Sequence, residues 1–527
     1  MIVGKFVHSD LDLSGAVSFL NLKTQAGREY ALKRFTLPVD TVESMASIQN
    51  PILAIRKRLR GDLSLEKSIA SSLASIATSE SAVDEIIVAK TVDKRITETV
   101  EQVYWKPGAW GSFLNAWGPL IEIMLLWKTI FTPAFALLTP VIVIVLPYIL
   151  IRSVFGITIP VAEYISLLQK MMLSSVPKMP LGDESSPVAH LAKYAYLLMS
   201  VGVFVSNIWT QIQASLHLRA VAADIRERGS KLLEYVKSAR TLATVLDDKE
   251  GLACADAVLF NEETVALGAY GMMLNESRAL ARLREWIAEL DLRIACALLK
   301  GICFPQALPG ATFKMSIKSL YHPGVKAGAR VLNDVDLGLA NEEKHMLVTG
   351  PNRGGKSTLC KSVGLAIMTA QTWGIAWAKS MVFVPVVHFE TALAPADTLG
   401  RLSLFEAEIE FAKHILAMSQ QPSFVIMDEI FHSTNAHDGA EASLIFLNQL
   451  YAKAGASIIS THYRELPDKL KELAKPYCME AFEGSRGLRY TYKCIPGISV
   501  LSSVREILIE RGLLQIQNSD PESNEHS

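Results

Sequence analysis

Neither sign of charge is in surplus along this chain: 52 Lys and Arg stand against 53 Asp and Glu, a formal net charge of −1. A protein that works by neutralising nucleic-acid phosphates ordinarily carries a basic excess or a strong basic patch. The densest basic run, Arg56-Lys57-Arg58-Leu59-Arg60, reads as a solvated helix face, and the basic residues of 219–228 are offset by Asp224 and Glu227. Cysteine is scarce as well. The six residues Cys254, Cys296, Cys303, Cys360, Cys478 and Cys494 form no C-x-x-C pair, and no His–Cys spacing suits zinc. Buried thiols in an intracellular, reducing compartment are the expectation. The opening M-I-V-G-K-F-V-H-S-D lacks the apolar core of a secretory signal. Internal repeats and low-complexity segments are absent, and the polar residues 516–527 are expected to be a disordered tail.

Charge disappears altogether in one stretch. Residues 129–151 hold no ionisable side chain across 23 positions, and a second uncharged stretch runs over 194–216. Each is long enough to cross a hydrocarbon core of about 30 Å as a helix. Trp105, Trp110, Trp117, Trp127, Tyr148, Tyr194, Tyr196 and Trp209 lie near the ends, as interfacial aromatics do. Pro133, Pro140 and Pro147 would kink a soluble helix and are better tolerated in a membrane. The second stretch is more polar, with Ser200, Asn207, Thr210, Gln211, Gln213 and Ser215. Two readings stay open: a membrane hairpin with both large flanks on the cytosolic side, or core helices of a large domain.

What the chain does have is a phosphate loop. Gly350, Pro351, Asn352, Arg353, Gly354, Gly355, Lys356, Ser357 and Thr358 follow the apolar run His345-Met346-Leu347-Val348-Thr349, so a strand feeds a glycine-rich turn and then a helix. The glycines let backbone N–H groups converge on phosphate oxygens. Lys356 would reach the β- and γ-phosphates of ATP, Ser357 would ligate Mg2+, and the following helix presents its positive end to the anion. About seventy residues on, the buried-strand run Phe424-Val425-Ile426-Met427 ends in Asp428 and Glu429. Asp428 is placed to hold the metal and Glu429 to polarise the attacking water. A further apolar run, 456–460, ends in Thr461-His462-Tyr463, which puts His462 where it can sense the γ-phosphate.

These motifs, with Ser403, Phe405 and Glu408 spaced S-x-F-x-x-E and with T-H-Y-x-E-L from Thr461, together resemble the ATPase domain of the MutS mismatch-repair family. Tyr321-His322-Pro323 and Asn333-Asp334 are similar to that family's lead-in, and residues 19–40 resemble the opening of its helical lever. The resemblance implies an ABC-type ATPase that works as a homodimer or a MutS-like heterodimer, with Ser403 of one subunit facing the other's γ-phosphate. Residues 431–439 then line the dimer interface, although S-T-N-A-H-D-G departs from the usual G-x-S-T-x-D-G. The aromatic that usually precedes the lead-in Asn is replaced by Arg330-Val331-Leu332.

The expected fold is thus a C-terminal α/β P-loop ATPase domain behind a mainly α-helical lever that carries a hydrophobic, candidate transmembrane, helical insertion. The boundaries are 1–105 for the first lever half, 106–216 for the insertion, 217–304 for the second lever half and 305–515 for the ATPase. The lever opening begins almost at Met1, so the family's mismatch-reading domain is not expected here. The hydrophobic block stands in chain order where DNA-scanning members carry their clamp. The expected function is an Mg2+-dependent ATPase coupled to DNA in mismatch repair or related metabolism. The alternative is a membrane-anchored ATPase acting on another partner.

Overall fold

The computed structural model describes residues 1–92, 102–105, 109–174, 187–258, 265–275, 277–339, 343–393, 404–418, 422–453, 455–484, 487–499, 501–511 and 513. The chain forms two compact units, one of residues 1–70 with 285–527 and one of residues 71–284.

The first unit contains eleven strands: β1 (Ile2–Val3), β2 (Gln306–Ala307), β3 (Met315–Leu320), β4 (Asn333–Leu337), β5 (His345–Thr349), β6 (Ser380–Phe383), β7 (His388–Ala392), β8 (Ser423–Asp428), β9 (Ala456–Ser460), β10 (Lys475–Gly484) and β11 (Gly487–Pro496). Seven of them build the main sheet in the order β1-β7-β8-β9-β5-β10-β11. Every neighbouring pair is parallel except the β10–β11 hairpin. The inner strands β5 and β9 are buried at every position. Strands covered on both faces read as continuous apolar runs rather than alternating ones, which is why these segments stood out in the sequence. β2, β6, β3 and β4 form a second, four-stranded sheet.

The helix Lys356–Trp373 follows β5 and is buried along nearly its whole circumference. The sheet packs on one side of it, and the N-terminal segment closes over its far end. Trp373 packs at a tilt against Phe35, 4.6 Å between ring centroids, and donates its indole N–H to the Ala31 carbonyl at 3.1 Å. Gln371 ties three backbone groups: its amide donates to the carbonyls of Val39 (2.5 Å) and Val386 (2.9 Å) and accepts from the Val386 N–H (3.0 Å). A second anchor is Asp291, a buried carboxylate on the helix Ser277–Leu298. It accepts from the Thr24 N–H and hydroxyl, both at 2.8 Å, and from the Lys23 N–H.

Every described element of the second unit is a helix. Its longest element, Pro187–Leu246, has 60 residues and so runs for about 90 Å. The helix changes character along its length. Leu232, Tyr235, Val236, Ala239, Leu242 and Ala243 are buried at helical spacing, whereas Tyr194, Leu198, Met199, Val201, Val203, Val205 and Trp209 are exposed, Leu198 by 73%. The helices Gly118–Leu126 and Thr132–Ser153 are joined by a π-helical turn, Trp127–Phe131, so 118–153 stays helical through all three prolines. Extra carbonyls are freed both at prolines and in a π-turn. The Thr129 carbonyl, which Pro133 leaves without its helical donor, accepts from the Ser215 hydroxyl (2.6 Å) and the Arg219 guanidinium (3.2 Å). Phe135, Leu138, Val141, Val143 and Ile149 are likewise exposed.

Candidate active site

The parallel register aligns three strand ends at one edge of the main sheet. Val348 pairs with Ser460, and Ser460 with Asp428. Beyond the last ladder pairs, the Thr461 N–H donates to the Val348 carbonyl (3.0 Å) and the Glu429 N–H to the Ser460 carbonyl (3.2 Å). The phosphate loop, the Asp428-Glu429 pair and Thr461-His462 therefore emerge side by side, as ligand sites do at the carboxyl ends of open parallel sheets.

The loop has the backbone of an anion cradle. Gly350 (φ 147°) and Gly355 (φ 100°) lie where a side chain would be strained, and Arg353 also has positive φ, at 65°. A Cβ on Gly354 would come within 2.9 Å of the Pro351 carbonyl oxygen. Lys356 is 5% exposed and donates its ammonium to the carbonyls of Gly350 (3.0 Å) and Pro351 (3.3 Å). Burial holds its pKa below the usual lysine value, while the carboxylates of Glu429 and Asp428 oppose that shift. Ser357 and Thr358 follow as exposed side chains in the first helical turn.

Asp428 accepts a short hydrogen bond from the Ser460 hydroxyl, and Glu429 accepts one from His462 Nε2. The His462 bond is the main reason the Glu429 carboxyl lies below the usual glutamate range; Lys356 and His432 add to it. Glu429 is thus kept ionised, with Lys356, Ser357 and the loop backbone around the same cavity of about 460 Å³.

The wall of that cavity also contains Tyr321, His322, Arg330, Asn333, Met479 and Tyr492. Arg330 lies 4.6 Å over the Tyr321 ring and is fixed there by bonds to the carbonyls of Val325 (2.7 Å) and Pro323 (3.1 Å). Aromatic surface therefore reaches this wall from Tyr321 and Tyr492, not from the residue before Asn333. Tyr492 and Met479 had no signal in the sequence, because they arrive on the β10–β11 hairpin, more than a hundred residues after the loop they face. Asn333 explains itself in the structure. Its amide donates to the Tyr492 carbonyl (3.1 Å) and accepts from the Cys494 N–H (2.8 Å), joining β4 to β11 as a short false ladder.

Ser403 lies outside the described residues. Phe405 and Glu408 sit on the helix Leu404–Leu416, where Phe405 meets Phe431 edge-on at 5.8 Å and Glu408 accepts from the Ser433 hydroxyl at 2.5 Å. The unusual Asn435 caps the helix Ala436–Tyr451, accepting from the N–H groups of His437 (3.1 Å) and Asp438 (2.9 Å). Gly439 is required here, since a Cβ would come within 2.1 Å of the Tyr463 hydroxyl and 2.5 Å of the Phe431 carbonyl oxygen.

Residues 346–505, the span that includes every one of these side chains except those of the lead-in, match the family model for MutS domain V. The chain carries a MutS domain V. It is 32% identical over 211 residues to the DNA mismatch repair protein MutS of Myxococcus xanthus, covering 38% of this chain and 23% of that protein. Against the probable DNA mismatch repair protein Msh6 of Drosophila melanogaster it is 33% identical over 190 residues, covering 35% and 16%. Against the MutS of Aquifex pyrophilus it is 30% identical over 200 residues, covering 37% and 23%. The chain thus matches about a quarter or less of the length of these curated relatives.

Asn333→Ala removes both bonds to β11 and leaves the buried Cys494 N–H without its acceptor. The expected cost is about 1–3 kcal/mol, seen as a lower midpoint in urea unfolding; an unchanged midpoint contradicts the bridging role.

Proposed function

We propose that this chain binds and hydrolyses Mg-ATP at the carboxyl edge of its main sheet, as one half of a homodimer or of a heterodimer with another MutS-like chain. The observation that carries the proposal is the convergence of a buried lysine, a glycine loop and an ionised Glu429 on one cavity of nucleotide size. In this reading the loop N–H groups and Lys356 hold the β- and γ-phosphates. The Ser357 hydroxyl and the Asp428 carboxylate are hard oxygen donors of the kind magnesium takes. A magnesium ion held there with the phosphates would neutralise charge that develops on the transferred group. Glu429 accepts a proton from the attacking water, and His462 keeps the carboxylate ionised and oriented until γ-phosphate engages it. Ser403, Phe405 and Glu408 serve the partner's site across the dimer.

The relatives are named for DNA mismatch repair, and coupling of this ATPase to DNA is the first reading of its wider role. A membrane-anchored ATPase is the second, supported by the exposure of the apolar side chains on Thr132–Ser153 and on the first half of Pro187–Leu246. Gly118–Thr139 and Tyr194–Leu246, of 22 and 53 residues, are long and apolar enough to cross a bilayer. Contiguous apolar surface of this extent is unusual on a soluble monomer.

Glu429→Gln should bind Mg-ATP as the parent does while kcat falls by about a hundredfold or more, trapping an ATP-bound dimer visible by sedimentation. Turnover at the parental rate rules out Glu429 as the base. For the second reading, alkaline carbonate should leave the full-length protein in the membrane pellet. Release as a soluble dimer favours the DNA reading instead.

A further inference from the structure

The turn that carries Glu429 is held in an unusual way. Glu429 (φ 56°) and Phe431 (φ 55°) both occupy the left-handed region, which side chains rarely adopt unless the surroundings impose it. Each carbonyl of this turn accepts a hydrogen bond from a different side chain. The Ile430 carbonyl accepts from Ser443 (3.3 Å) and the Phe431 carbonyl from Tyr463 (2.7 Å). The Glu429 carbonyl faces His432 Nδ1 at 2.9 Å. Nδ1 also lies 3.0 Å from the Glu408 carboxylate. Carbonyl and carboxylate oxygens only accept, so Nδ1 must carry the ring proton and share it between them. The other Glu408 oxygen accepts from Ser433, which fixes the carboxylate in place.

Ser443 and Tyr463 belong to the rigid frame around β9. His432 is different, because its second partner stands on the helix Leu404–Leu416, directly after the segment assigned above to the partner's ATP. We propose that His432 and Glu408 form a positioning link through which that helix sets the backbone of Glu429. The proposal rests on the ATPase reading and deepens it. Glu408 anchors the imidazole ring, so a shift of the helix that carries Glu408 away lets the ring turn from the Glu429 carbonyl and moves the carboxylate off the line of attack. His432 touches no reacting atom in this scheme; it acts through Glu429. Misplacement by about 1 Å costs roughly a hundredfold in rate.

The test is steady-state hydrolysis of Mg-ATP by the full-length wild-type, His432→Ala, His432→Asn, Glu408→Gln and Lys356→Ala proteins. Asparagine places an N–H close to the position of imidazole Nδ1 and retains the donor. His432→Ala and Glu408→Gln should lower kcat about tenfold to a hundredfold with KM for Mg-ATP within about twofold of the parent, and His432→Asn should recover most of the rate. An unchanged kcat in His432→Ala, with the wild type active, overturns the link alone. So does an equal loss in His432→Ala and His432→Asn, which would reduce the residue to a space-filler. A rise in KM without a fall in kcat also overturns it, since the histidine would then be holding nucleotide. A wild type no faster than Lys356→Ala removes the ATPase reading and the link together.

Discussion

Everything at the candidate site depends on the parallel register that sets the ends of β5, β8 and β9 level with one another. A slip of one residue between β8 and β9 would reverse the side-chain facing and carry Asp428 away from Ser460. The register is enforced by burial: all positions of β5 and β9, and all of β8 before Asp428, are withdrawn from water. Polar residues stand at the carboxyl ends of these strands: the Ser460 hydroxyl donates to Asp428, and the Thr349 hydroxyl donates to the Tyr477 carbonyl and accepts from the Ser499 N–H. Packing energy in the sheet is thereby converted into placement of a lysine, two acids and a histidine.

The helix behind the phosphate loop extends the same logic. Its N-terminus points at the loop, and its C-terminus is locked by Trp373, Gln371 and the N-terminal segment. With no exposed face to yield, the helix transmits strain rather than absorbing it. The loop at its head therefore keeps a fixed backbone, which an anion site needs if it is to bind without a large ordering cost. The second unit is built on a different principle. There the 60-residue helix is amphipathic and packed in one half, then apolar and exposed in the other. One continuous element thus carries two different surfaces, one packed and one apolar and exposed.

Much of the site was legible because its chemistry is local in sequence. A glycine loop, a strand ending in two acids and a strand ending in Thr-His each carry their meaning within ten residues. The rest was hidden for definite reasons. β1 is two residues long, too short for any periodicity, and is a strand only because β7 offers an open edge. Tyr492 and Met479 reach the cavity on a hairpin more than a hundred residues after the loop, and only there does Asn333 find its partner. The bonds of His432, Ser443 and Tyr463 to successive carbonyls depend on tertiary placement, and no spacing rule announces them. The prolines at 133, 140 and 147 were expected to kink a helix outside a membrane; the chain runs through them as helix with a π-turn just ahead. Arg330 stands where the family carries an aromatic, yet the cavity regains aromatic surface from Tyr321 beneath it.

The central claim is that the edge formed by β5, β8 and β9 is a magnesium–nucleotide site, and equilibrium binding tests it most directly. Fluorescent ATP analogue would be titrated into wild-type and Lys356→Ala protein, each with and without Mg2+. The expected result is saturable binding to the wild type that tightens with Mg2+ and is lost in Lys356→Ala. Equal binding by both proteins, or none by the wild type, would contradict the claim.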